Sequence, residues 1–218
     1  MSPLAVGLVE RKYLRRLLGA TDGVGVPDAM VLVGSWARGT QVDPISDIDV
    51  LAIGGVDIPS PVGRIQVISR SAAQLRELVM AGDDFSQWSL RFGRPLSGRR
   101  LWKDLREKLL AAAPWPSGES KLALAKGRLK AAQELLAIGD VEAAEEEARY
   151  GLSHLARGLL LEQQVFPLSR PELPEQLAKI GEHEIARALN ESLREGAPNR
   201  DRLETALSLL ASRVSDPS

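Results

Sequence analysis

Val33-Gly34-Ser35-Trp36-Ala37-Arg38-Gly39-Thr40, followed by Ser46-Asp47-Ile48-Asp49-Val50, decides the reading of this chain. The apolar run Ala29-Met-Val-Leu-Val33 reads as a short strand that ends at Val33. Gly34 then lets the backbone turn sharply and admits a ligand close to it. Ser35 is expected to open a helix whose free N–H groups favour a phosphate, and Arg38, one turn along, could reach the same anion. Ile48-Asp-Val-Leu-Ala-Ile53 reads as a second strand. Side chains at i and i+2 leave the same face of a strand, so Asp47 and Asp49 converge on one point while Ile48 and Val50 face the core. Two adjacent carboxylates repel unless a cation compensates them. A divalent metal bridging them to a triphosphate is the natural solution.

Outward from this centre, Arg64-Ile-Gln-Val-Ile-Ser69 reads as a third strand, and Ser71 as the cap of a helix running to about Met80. Residues 4–19 read as a helix. Strand, turn, helix and strand in this order give an α/β unit built on a small mixed sheet. At Pro114-Trp115-Pro116-Ser117-Gly118 two prolines and a glycine mark a linker. Beyond it Ala144, Ala148, Leu152, Leu155 and Leu159 repeat at helical spacing, as do Leu203, Leu207, Leu210 and Val214. Helices are expected over 120–138, 140–164, 172–195 and 199–214, a four-helix bundle. The domain expectation is therefore 1–115 for the α/β domain and 118–215 for the all-α domain.

Composition narrows the chemistry. The 218 residues include no cysteine and only two histidines, which excludes thiolate sites and makes a His-rich metal site unexpected. A metal would sit on carboxylates, which suit Mg2+ or Mn2+. Net charge is −1. Residues 1–115 hold 15 Lys+Arg against 12 Asp+Glu, and residues 116–218 hold 13 against 17. Neither half carries the basic face of a general nucleic-acid binder. No apolar run approaches the length of a membrane span, and MSPLAVGLVERKYL lacks the features of a signal peptide. The cytoplasm is the expected compartment.

The segment GSWARGTQVDPISDIDV resembles the polymerase-β-type nucleotidyltransferase superfamily, in particular its small prokaryotic members with the GSxARG…SDIDL form. The resemblance covers about twenty residues. It implies that Gly34, Ser35 and Ser46 hold the nucleotide phosphates with Arg38 beside them. It further implies that Asp47 and Asp49 are the catalytic pair that ligates Mg2+ for transfer of a nucleoside monophosphate from ATP or another triphosphate. The expected acceptor is a hydroxyl of a small molecule, a protein or an RNA end. The family places a third carboxylate on the following strand, and here that place falls on Gln66, which cannot serve as a base. A nucleotide-binding pseudoenzyme or antitoxin-like module is the alternative that Gln66 favours. Asp83 and Asp84 are weighed as substitutes but read as a turn after Gly82.

The helical part resembles HEPN domains, through Leu159–Pro174 and through the spacing of Arg149 and His154. In some such domains this pair is a metal-independent RNase site. Positions five apart on a helix lie about 140° from each other, so an ion pair of Arg149 with Glu145 or Glu146 is the competing reading. A substrate-binding or homodimerising role is expected of this domain. Arg91, Arg94, Arg99 and Arg100 read as a solvated basic patch, and Trp88, Trp102 and Trp115 as packing between domains.

Overall fold

The computed structural model describes residues 25–40, 47–54, 58, 64–194 and 199–214, with Lys12 and Arg15. It divides into two compact units, Met1–Pro116 and Ser117–Ser218. Of the expected helix over 4–19, only Lys12 and Arg15 are described, both helical; the rest lies outside the described residues.

In the first unit a four-stranded sheet has the order β3-β2-β1-β4. Its strands are β1 (Ala29–Leu32), β2 (Ile48–Ile53), β3 (Ile65–Arg70) and β4 (Arg94–Ser97). β1 pairs antiparallel with β2 and with β4, while β2 and β3 run parallel, so the sheet is mixed. All four residues of β1 are buried, and Ile48, Val50 and Ile53 of β2 are fully so. Near-continuous burial is what an apolar strand flanked on both sides produces. β4 was not anticipated from the sequence, because Arg94-Pro-Leu-Ser97 is too short and too polar to read as a strand. Its Pro95 is tolerated because β4 is an edge strand.

Five-residue α1 (Gly34–Arg38) follows β1, and α2 (Ala72–Met80) follows β3. Ser71 caps α2 in a reciprocal box: Ser71 Oγ accepts from Gln74 N at 3.0 Å, and Ser71 N donates to Gln74 Oε1 at 2.8 Å. α3 (Asp84–Phe92) and α4 (Arg99–Ala112) complete the layer. Trp88 and Trp102 are 5% and 3% exposed, and Trp88 packs on Phe92 at 5.2 Å between ring centroids. Trp115 is 38% exposed.

The second unit contains α5 (Glu119–Ala137), α6 (Val141–Glu162), α7 (Leu173–Lys179), α8 (His183–Ser192) and α9 (Arg200–Val214). The expected third helix, 172–195, is two helices. Gly181 breaks it at φ +86, a conformation that glycine adopts at little cost. Asp140 caps α6 by accepting from Ala143 N at 3.0 Å, and Asn199 Oδ1 accepts from Arg202 N at 3.0 Å at the start of α9. Ala144, Ala148, Leu152 and Leu155 form the buried stripe of α6, and Leu203, Leu210 and Val214 that of α9. Among the described residues no helix is long and apolar enough to cross a membrane.

Residues 117–218 enclose their own apolar core, so this fragment should fold alone. Its circular dichroism should be helical, with one cooperative thermal transition. Leu152→Ala, at a fully buried position, should cost about 2–5 kcal/mol in urea unfolding. A fragment without a cooperative transition would refute this.

Candidate functional site

The sheet topology gathers the site. β1 runs antiparallel to β2, and β2 runs parallel to β3. The end of β1, the start of β2 and the start of β3 therefore meet at one edge of the sheet. Gly34 comes from the first, Asp47 and Asp49 from the second, and Gln66 from the third. The start of β4 joins them, since Arg94 pairs with Leu32.

Backbone bonding fixes the centre. Val33 N donates to Asp49 O at 2.9 Å, which carries the β1–β2 ladder into the turn. Gly34 then adopts φ +67. A Cβ built on Gly34 would lie 2.6 Å from Asp49 Oδ2, closer than real Cβ contacts come. The glycine is thus required twice, for its left-handed backbone and for the space that the carboxylate occupies. α1 begins at Gly34 itself, not at Ser35, and spans five residues. Val33 stands at the N-cap with no side-chain cap bond. Buried Trp36 and Ala37 anchor α1 in the core. Gly39 ends it at φ +72, and Thr40 N donates to Ser35 O at 3.1 Å.

The two carboxylates differ in surroundings. Asp47 is exposed just before β2, whereas Asp49 is half-buried within it. Ile48 and Val50 between and beyond them are 0% exposed, as the alternation of a strand requires. In the parallel register Gln66 is the partner of Asp49, and Gln66 Nε2 donates to Asp47 Oδ2 at 3.2 Å. A glutamine amide therefore stands directly beside both acids. Among the described residues no three His, Cys, Asp or Glu side chains gather into a metal cluster. Two carboxylates and a neutral amide stand together at this edge, with Asp47 and Gln66 exposed and Asp49 half-buried.

The other expected residues fall as follows. The Arg38 guanidinium lies over the Phe92 ring, 5.0 Å from its centroid, a contact that steadies its stem against α3. Ser35 is half-buried in α1. Ser46 lies outside the described residues. Asp83 caps α3, accepting from Ser86 N at 2.7 Å, and Asp84 is 8% exposed at the first position of that helix. Asp83 therefore has a structural task of its own. Partial burial lowers the pKa of Arg91 from the ordinary arginine value, and its guanidinium sits 6.0 Å from the Trp115 centroid. A groove of about 380 Å³ runs between α2 and α4, lined by residues such as Arg76, Met80 and Lys108. None of Gly34, Asp47, Asp49 or Gln66 lines it.

In the helical unit, Arg149 Nη2 pairs with Glu146 Oε1 at 3.4 Å. His154 is half-buried one turn further on. The ring of Tyr150 has three guanidinium groups around it: Arg170 at 4.9 Å, Arg128 at 5.3 Å and Arg149 at 5.8 Å from its centroid. Arg128 also bonds Glu147 at 2.8 Å. Sequence reasoning did not bring these arginines together, because they come from three separate elements.

Gly34→Ala and Gly39→Ala separate strain from collision. Both positions have positive φ, but a Cβ on Gly39 meets nothing within 4 Å. Each should lose about 1–2 kcal/mol to left-handed backbone strain. Gly34→Ala should lose more and displace Asp49. Equal losses in urea unfolding would show that Asp49 does not press on Gly34.

No family model matches the chain, and no curated protein matches it. Among solved structures, the chain is similar to a nucleotidyltransferase-like protein from Exiguobacterium sibiricum 255-15. The two are 18% identical, with a TM-score of 0.46, over 95% of this chain and 74% of that one. The functional reading accordingly rests on this chain's own residues.

Proposed function

We propose that the chain is a Mg2+-dependent nucleotidyltransferase that moves a nucleoside monophosphate from ATP or another nucleoside triphosphate to an acceptor oxygen. One observation carries the proposal: Asp49, on a central strand, presses its carboxylate against the Gly34 turn while Asp47 leaves the same face of the strand. Such a pair beside a glycine turn suits a triphosphate, whose charge needs both a cation and a close backbone approach.

Asp47 and Asp49 would hold the metal, which on binding would neutralise the phosphates and stabilise the charge that develops on the leaving group. The chain's own residues do the positioning. Gly34 keeps the backbone low beside Asp49. Buried Trp36 holds α1 in place, and Arg38, steadied on Phe92, offers its charge one turn along. Arg94 adds a second positive side chain at the same sheet edge. Gln66 orients Asp47 through their hydrogen bond.

That same bond supports a second reading, a nucleotide-binding module without transfer activity. A neutral amide at the place of a third acid removes a ligand and a base while leaving the nucleotide contacts intact.

ATP with Mg2+ should raise the melting temperature, by the equivalent of about 2.7 kcal/mol at a hundredfold excess over Kd. Asp47→Asn combined with Asp49→Asn should abolish the Mg2+-dependent part. A double variant that responds like the parent would move the site elsewhere. Labelled triphosphates incubated with acceptors separate the two readings, since only the enzyme releases pyrophosphate.

A further inference from the structure

Gln66 bears on the acceptor as well as on the metal. Its backbone is paired with Asp49 in the parallel register, and its amide reaches Asp47 at 3.2 Å. It is exposed, so its side chain faces the approach to both acids. Three chemical consequences follow. An amide accepts no proton at neutral pH, so this position cannot deprotonate an alcohol. Replacing a carboxylate by an amide removes one negative charge and its repulsion of an incoming anion. Finally, a glutamine amide has two N–H donors; one serves Asp47, and the other is left for a second oxygen.

All three favour a nucleophile that arrives already ionised. On the nucleotidyl-transfer reading above, we infer that the acceptor presents an ionised oxygen, that of a phosphate monoester or a carboxylate, rather than a neutral hydroxyl. The ionised oxygen attacks the α-phosphorus of the triphosphate. The new P–O bond forms as the bond from the α-phosphorus to the bridging oxygen breaks, and its electron pair leaves on pyrophosphate. No proton changes hands, so the step balances without a base. The product is a phosphoanhydride from a phosphate acceptor, or an acyl phosphate anhydride from a carboxylate.

The test uses the full chain with Mg2+, α-labelled triphosphates and three probes on one carbon skeleton: glycerol, glycerol 3-phosphate and glycerate. A positioned base contributes about 10²–10⁴ in rate. Label should therefore enter glycerol 3-phosphate or glycerate at least about a hundredfold faster than glycerol, through an anhydride recognised by its phosphorus coupling or its lability to hydroxylamine. Which of the two reacts distinguishes the phosphate from the carboxylate. Independently of turnover, the same anionic probe should raise the melting temperature of the complex with a non-hydrolysable ATP analogue, and glycerol should not. Gln66→Glu should remove that shift by restoring the repulsive charge, and Gln66→Asp should move label toward the hydroxyls of glycerol. Phosphodiester formation on glycerol by the parent chain at a comparable rate would overturn the inference. So would the absence of any anhydride product while Gln66→Asp labels glycerol. Failure of the nucleotidyl-transfer reading itself is told apart by the loss of any Mg2+-dependent response to ATP.

Discussion

The contact between the Asp49 carboxylate and the Gly34 backbone is the constraint from which the site follows. A strand end and a strand start are tied together by Val33 N to Asp49 O at 2.9 Å. In the residue beyond, the chain must reverse within the space that a carboxylate already occupies. Only a residue without Cβ and tolerant of φ +67 satisfies both demands. With Gly34 so fixed, α1 starts immediately, and Trp36 and Ala37 are driven into the core. Arg38 emerges against Phe92 of a helix more than fifty residues away in sequence. Local backbone chemistry thereby sets tertiary positions.

The charge at this edge has a cost. Carboxylates two residues apart on one face of a strand repel each other. The Gln66 amide offsets part of this by donating to Asp47 Oδ2, and exposure of Asp47 screens more. A carboxylate in place of Gln66 would add to the repulsion. Substitution by glutamine thus relieves the unliganded protein at the expense of proton-accepting capacity. That exchange is physically coherent for a nucleophile that needs no deprotonation, and also for a protein that binds nucleotide without reacting it.

Much of this was legible in the sequence because the signals are local. Apolar runs marked β1, β2 and β3, Ser71 as a cap marked α2, and apolar stripes marked α6 and α9. The resemblance put Gln66 at the place of a third carboxylate, and the parallel register pairs it with Asp49. What escaped were features set by tertiary context. β4 is held by pairing with β1, not by its own propensity. Gly181 divides a periodic apolar pattern that otherwise reads as one helix. α3 and α4, which carry the buried Trp88 and Trp102, were not resolved from the pattern. The arginines around Tyr150 come from α5, α6 and the turn before α7, and no spacing rule relates them.

The mixed topology explains why one sheet edge collects chemistry from such separate stretches. In an all-antiparallel meander, the start of β2 would meet the end of both neighbours. Here the β2–β3 pair is parallel, so the start of β3 comes to the start of β2. Gln66 therefore reaches Asp47 from the second residue of its strand. The same edge holds the end of β1 and, through β4, the side chain that follows Gly93. Because β2 is hydrogen-bonded on both sides, Asp49 cannot shift without breaking two ladders, whereas Asp47, one residue outside the strand, can. The rigid acid is the one pressed against the glycine turn, and the adjustable acid is the one that Gln66 holds. The fold thus fixes one carboxylate through two ladders and leaves the other to a single side-chain hydrogen bond from residue 66.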